Sequence, residues 1–160
     1  MQDLNVKVLL VDDDDIDVRV VQRAFQRQRI SNEITVARDG REAIEILRGS
    51  ADHYPLMPPY LVLLDLNMPR MNGIEFLNEL RADPRLHQTP VFVLTTSSDE
   101  RDIDAAYGQH VAGYLLKSEA GRDFMNFMPL LDKYLVSIQF PCHADAAEPG
   151  LENEFAMCSC

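Results

Sequence analysis

The chain has 160 residues, 46% of them hydrophobic and 26% charged, with a formal net charge of -11. That length suits one domain, which at this size buries about 70% of the unfolded chain's surface. The charge speaks against a basic nucleic-acid face and against docking on anionic lipid, and no apolar run nears the roughly 20 residues of a membrane span. The N-terminus lacks a signal-peptide pattern. The three cysteines, Cys142, Cys158 and Cys160, crowd the C-terminal end. Such a set is no disulfide framework, so a reducing cytoplasm is the expected location.

Residues 6–11 read as a first buried strand, with Asp12-Asp13-Asp14-Asp15 directly behind it. Residues 16–28 place Val18, Val21, Ala24 and Phe25 at helical spacing. Asp14 and Asp15 fit the cap and first turn of that helix, where carboxylates meet free N–H groups and the dipole. Asp17 reads as a solvated residue of the same turn. Residues 33–37 form a short strand and 40–48 a helix with Ala43, Ile44 and Leu47 on one face, followed by a proline-bearing loop over 49–59. Residues 60–64 are apolar or aromatic throughout, bounded by Pro58-Pro59 before and by Pro69 and Gly73 after. This pattern suits a strand buried on both faces. Ile74, Phe76, Leu77 and Leu80 mark a third helix, ended near Asp83-Pro84. A fourth strand over 91–94 closes on Thr95-Thr96-Ser97-Ser98, and a fourth helix over 99–110 is capped by Ser98 or Asp99. A fifth strand over 112–116 ends at Lys117, and a fifth helix follows over 121–134. Its Phe124, Met125, Phe127 and Met128 read as packing residues.

Alternating strands and helices predict an α/β fold, a doubly wound five-stranded parallel sheet, because parallel strands need helical crossovers. Residues 1–135 form the domain. Residues 136–160 lack periodicity, and from Pro141 onward they carry acids but no lysine or arginine, which reads as a flexible acidic tail.

A carboxylate at the end of a buried strand is too costly to bury unpaired, and ligands gather at the carboxyl edge of such sheets. The first strand delivers Asp12 and Asp13 to that edge, the third Asp65, the fourth Thr95 and the fifth Lys117. If the first and third strands are neighbours, three carboxylates converge and repel unless a cation joins them. All-oxygen ligation suits Mg²⁺, and Asn67, two residues past Asp65, can add a backbone carbonyl. A metal, an ammonium and a hydroxyl around one carboxylate can hold a phosphoryl group on it. Asp65 is the residue expected to become an aspartyl phosphate.

Val8-Leu9-Leu10-Val11-Asp12-Asp13, Leu63-Leu64-Asp65-Leu66-Asn67-Met68-Pro69 with Gly73, Pro90-Val91-Phe92-Val93-Leu94-Thr95, and Gly113-Tyr114-Leu115-Leu116-Lys117 together resemble the receiver domain of two-component response regulators. The resemblance implies the strand order 2-1-3-4-5 of the flavodoxin-like folds and a phosphoryl group passed to Asp65 from a sensor histidine kinase. It implies Mg²⁺ on Asp13, Asp65 and the Asn67 carbonyl, with Asp12 helping through water, Lys117 on the phosphoryl group, and Thr95 and Tyr114 as the switch pair. The switched surface would be helix 4, strand 5 and helix 5, which also offers a face for a homodimer. Ser118 stands where the family usually has a cis proline, and a cis bond before serine costs roughly 2.5–4 kcal/mol. Lys117-Ser118, the long loop before Tyr60 and Leu94-Thr95-Thr96-Ser97-Ser98 are similar to small regulators paired with bacterial and cyanobacterial phytochromes. With no DNA-binding domain after it, the chain is expected to be a stand-alone receiver.

Two other classes compete. A phosphatase of the haloacid dehalogenase type would need a second aspartate where Asn67 stands, and a cap domain. A phosphorylation-independent binding module would not need the full set Asp12, Asp13, Asp65, Thr95 and Lys117. A flavodoxin is disfavoured, because four aspartates after the first strand would repel the FMN phosphate.

Overall fold

A computed structural model of the chain describes residues 5–50 and 52–141. Five strands, β1 (Lys7–Val11), β2 (Ile34–Ala37), β3 (Tyr60–Leu64), β4 (Val91–Thr95) and β5 (Gly113–Leu116), alternate with five helices. These are α1 (Asp15–Arg27), α2 (Gly40–Arg48), α3 (Gly73–Ala82), α4 (Glu100–Gly108) and α5 (Met128–Ser137). Every strand pair is parallel, and the sheet order is β2-β1-β3-β4-β5. The expected topology is the observed one. No helix among the described residues is long and apolar enough to cross a membrane.

The central strands are apolar at every position because helices cover both faces of the sheet. Successive side chains point to opposite sides, so β1 and β3 feed two cores. Leu9, Val11, Val62 and Leu64 pack with Ala43 and Leu47 of α2 and with Phe76, Leu77 and Leu80 of α3. Val8, Leu10, Leu61 and Leu63 pack with Val21 and Phe25 of α1, Phe127, and Leu131 of α5. Each fully buried Leu or Phe contributes about 1.5–3 kcal/mol, so the sheet interior is the most strongly held part of the molecule.

Helix starts follow local chemistry. Asp14 caps α1 by accepting from the Ile16 N–H, and Asp39 caps α2 through the Glu42 N–H. Asn72 and Glu75 form a reciprocal capping box on α3. Asp99, rather than Ser98, caps α4.

Two expectations are corrected. The continuous fifth helix from 121 is interrupted: Arg122–Phe124 form a short 3-10 turn, and α5 begins only at Met128. Gly121 and Phe124 take positive φ angles of 83° and 59°, which a right-handed helix does not allow. Pro129 then restarts the helix within its first turn, where a missing N–H does no harm. The packed body also runs past residue 135, because α5 continues to Ser137. Phe140 is buried, with its ring edge-on to Tyr134 at 5.9 Å. Residues 142–160, including Cys142, Cys158 and Cys160 and most of the acidic tail, lie outside the described residues.

Candidate functional site

Val11 and Leu64 are register partners on β1 and β3, so Asp12 and Asp65 leave adjacent strands at the same level. The Asp12 N–H donates to Ala37 O at 3.0 Å and the Asp65 N–H to Val11 O at 2.9 Å, which holds both residues firmly by their backbones. Both side chains are buried, at 3% and 7% exposure, and Asp13 beside them is exposed. Carboxylate oxygens of Asp12, Asp13 and Asp65 lie within 4.8 Å of one another.

Lys117 enters from the end of β5, its N–H donating to Thr95 O at 2.8 Å. Its ammonium donates to Asp12 Oδ2 at 2.9 Å and to Asp17 Oδ2 at 2.5 Å, and stands 3.5 Å from Asp65 Oδ2. Burial works against the charge of Lys117, but hydrogen bonds to Asp17 and then Asp12 overcome it and raise the pKa above the ordinary lysine range. Asp12 is pushed up to about 6, first by burial and also by the charge of Asp65, despite the opposing pull of Lys117 and the Asp14 N–H. One ammonium does not balance the acids around it.

Three converging carboxylates offer hard oxygen ligands, and Asp65 Oδ1 is buried without a hydrogen-bond partner. A buried carboxylate oxygen left so is costly unless something binds it. The residues fit a divalent cation.

The loop from Asp65 to α3 shapes the floor. The Gly73 N–H donates to Leu66 O at 3.0 Å. A Cβ on Gly73 would lie 2.6 Å from Asp65 O and 2.8 Å from Leu66 Cα, so only glycine permits this approach. Asn67 sits exposed in this turn, two residues beyond Asp65.

Thr95 is fully buried at the end of β4, and its hydroxyl accepts from the Ser97 N–H at 3.3 Å. The Tyr114 hydroxyl donates to Ser97 O at 2.8 Å, and Ser97 Oγ donates to Asp102 Oδ2 on α4 at 2.5 Å. The structure thus brings Asp12, Asp13, Asp65 and Lys117 into one cluster and links Thr95 and Tyr114 through Ser97. The cis peptide bond among the described residues is Pro58–Pro59, so Lys117–Ser118 is trans, as expected for serine.

Asp17 is the residue that sequence reasoning misplaced. It belongs to the cluster through Lys117 and is not merely a solvated acid of the first turn. The pairing spans one hundred positions, and local spacing carries no trace of it. Asp102, which accepts from the Ser97 hydroxyl, is a second such residue; its place in the first turn of α4, just after the Thr-Ser-Ser run, is the available signal.

A carboxylate cluster at the carboxyl edge of this sheet, with a lysine from the fifth strand, defines a class. The response regulator receiver domain model matches residues 8–128, and the chain belongs to that family. It is a receiver domain of the two-component signalling type. The chain is 37% identical over 127 residues to the response regulator Rcp1 of Synechocystis sp., spanning 79% of this chain and 86% of the relative. It is 35% identical to the probable methanogenesis regulatory protein FilR2 of Methanothrix harundinacea, spanning 79% and 81%. Among solved structures, the phosphorylated cyanobacterial phytochrome response regulator RcpA superposes with a TM-score of 0.74 at 35% identity, covering 85% of this chain and 98% of that one. The Mn²⁺-bound form of Rcp1 gives 0.74 at 36% identity, with 84% and 99% covered.

Proposed function

We propose that Asp65 is a phosphoacceptor, taking a phosphoryl group from the phosphohistidine of a sensor histidine kinase in the cytoplasm. The observation that carries this reading is the unpartnered, buried Asp65 Oδ1 amid Asp12, Asp13 and Lys117. In the transfer, a carboxylate oxygen of Asp65 bonds to phosphorus. The phosphorus–nitrogen bond breaks, and its electron pair returns to the donor's imidazole. Asp12, Asp13 and Asp65, with the Asn67 carbonyl, are the residues that would hold Mg²⁺, which supplies neutralisation of the charge on the transferred oxygens. Lys117 offers a fixed positive charge to the phosphoryl oxygens and Thr95 a hydroxyl, both set on strand ends that need no reorganisation.

The link from Thr95 through Ser97 to Tyr114 and Asp102 supports a switch in the surface made by α4, β5 and α5. A local charge added at Asp65 then biases the β4–α4 loop. Exposed Tyr107 on α4 and Leu130 and Val136 on α5 support a homodimer through that surface, which sedimentation velocity with and without phosphorylation tests. The likeness to a phytochrome response regulator supports a phytochrome-type kinase as the donor.

Intact mass after incubation with Mg²⁺ and acetyl phosphate tests the core of this reading. One added phosphoryl group is expected, lost when Mg²⁺ is withheld and lost in Asp65→Asn. An adduct that persists in Asp65→Asn refutes the assignment. Catalytic hydrolysis of the donor without an adduct would instead make the chain a phosphatase.

A further inference from the structure

We propose that Asp17 is a positioning residue for Lys117: it keeps the ammonium's hydrogen bonds off Asp65, leaving the acceptor carboxylate in a looser ion pair at 3.5 Å. The inference rests on the phosphoacceptor reading and adds to it a residue on α1.

The distances carry it. An ammonium has three donors. Lys117 commits one to Asp12 Oδ2 at 2.9 Å and one to Asp17 Oδ2 at 2.5 Å, while Asp65 Oδ2 stays at 3.5 Å and Asp65 Oδ1 has no partner. Asp17 is free for this because of how α1 begins. The third residue of a helix commonly reaches back to the cap's own N–H. Here that N–H, on Asp14, donates to Asp12 Oδ1 at 2.9 Å. Asp12 therefore serves the helix start with one oxygen and the lysine with the other, and Asp17 turns to Lys117. Asp17 remains partly exposed, at 29%, against 10% for Lys117 and 8% for Asp65. It draws the ammonium toward the rim of the cluster. Without Asp17, the nearest remaining acid for the freed donor is Asp65. A carboxylate that accepts a direct hydrogen bond from the ammonium presents less charge to an incoming phosphorus than one in the looser 3.5 Å pair, and must break that bond before it reacts.

Time-resolved intact mass of the full chain with Mg²⁺ and acetyl phosphate tests the role. In this reaction an Asp65 oxygen bonds to phosphorus as the phosphorus–oxygen bond to acetate breaks, with the electron pair leaving on acetate. Loss of one charge-assisted hydrogen bond at the site is expected to slow uptake in Asp17→Ala by roughly tenfold. Asp17→Asn, whose amide oxygen still accepts from the ammonium, recovers part of the rate. It also carries the same test should Asp17→Ala fold poorly by circular dichroism. In a Lys117→Ala background, Asp17→Ala changes nothing further, because the group it acts through is gone.

An unchanged or faster rate in Asp17→Ala overturns the inference, as does a slowing that survives without Lys117. If the unsubstituted chain takes up phosphate normally in that experiment, the phosphoacceptor reading stands and only the role of Asp17 falls. If the unsubstituted chain takes up none, both fall together.

Discussion

The Tyr114 hydroxyl donates to the Ser97 backbone carbonyl at 2.8 Å across a separation of seventeen residues. The contact joins a half-buried tyrosine just before Lys117 to the loop that starts α4. Ser97 also offers its N–H to Thr95 Oγ1 and its hydroxyl to Asp102. Three elements therefore meet on Ser97, and a shift of Thr95 toward Asp65 would be felt by all of them.

Tyr114→Phe removes one half-buried hydrogen bond and keeps the ring. The expected loss is about 0.5–1.5 kcal/mol, read as a lowered urea midpoint with an unchanged slope. Stability equal to that of the unsubstituted chain would show that the phenol is not anchored at Ser97 in solution.

Gly73→Ala forces a methyl group to within 2.6 Å of Asp65 O. That neighbour is backbone, so the turn must move rather than a side chain. Overpacking of this kind costs about 1–3 kcal/mol, and the displaced carbonyl belongs to the proposed acceptor. Thermal unfolding should report the destabilisation, and phosphoryl uptake should fall with it. A variant as stable and as active as the original would mean that the turn yields easily.

Arg48 ties the end of α2 to the end of α3, with Nε 2.7 Å from Asp83 Oδ2 and Nη1 2.8 Å from Glu79 Oε1. Burial alone would raise the Asp83 carboxyl, but Arg48 and the Arg85 N–H pull it below the ordinary carboxylate value. A group lowered in the folded state stabilises it above the unfolded pKa, near 3.8, and loses that contribution as pH falls through the lower folded value. Asp83→Asn should therefore cost on the order of 1–3 kcal/mol at neutral pH, with the gap to the original chain closing in acid. Denaturant curves at pH 7 and pH 3 measure it. A constant gap would mean that the pair's charge contributes nothing.

A divalent cation should stabilise the folded chain, since the carboxylates it would join are together only when the sheet is formed. With Mg²⁺ at about 100 times its dissociation constant the gain is about 2.7 kcal/mol, seen as a higher Tm. Asp12→Asn and Asp65→Asn should both reduce the shift. A Tm insensitive to Mg²⁺ would contradict ligation by this cluster.

The alternation of strands and helices and the edge residues were legible because they follow from short-range pattern, whereas the strand order came from the resemblance to receivers. A run such as residues 60–64 is apolar only if buried on both sides, and Asp65 at its end stands out against that run. Capping acids and helical spacing located α1 to α4 in the same way. The start of α5 was not legible: Phe124, Phe127 and Met128 keep an apolar pattern through a turn that Gly121 and Phe124 bend out of helical geometry. Phe140 lies beyond the last periodic residue and is buried where the chain leaving α5 turns back to set its ring edge-on to Tyr134. Asp17 illustrates the general limit. Its type and place suit an ordinary first-turn acid, and only the folded sheet brings a lysine from β5 to it.

The partnership of Val11 with Leu64 has a consequence for how such a molecule can change. The spacing of Asp12 and Asp65 is set by peptide hydrogen bonds between neighbouring strands, which no side-chain substitution removes directly. A partner recognised through outward-facing helix residues such as Ile16, Tyr107 and Val136 would meet side chains that bear little on that spacing. Carboxylate spacing and helix exterior thus lie in separate parts of the chain. Helix exteriors could accordingly be redrafted while the carboxylate cluster is inherited intact.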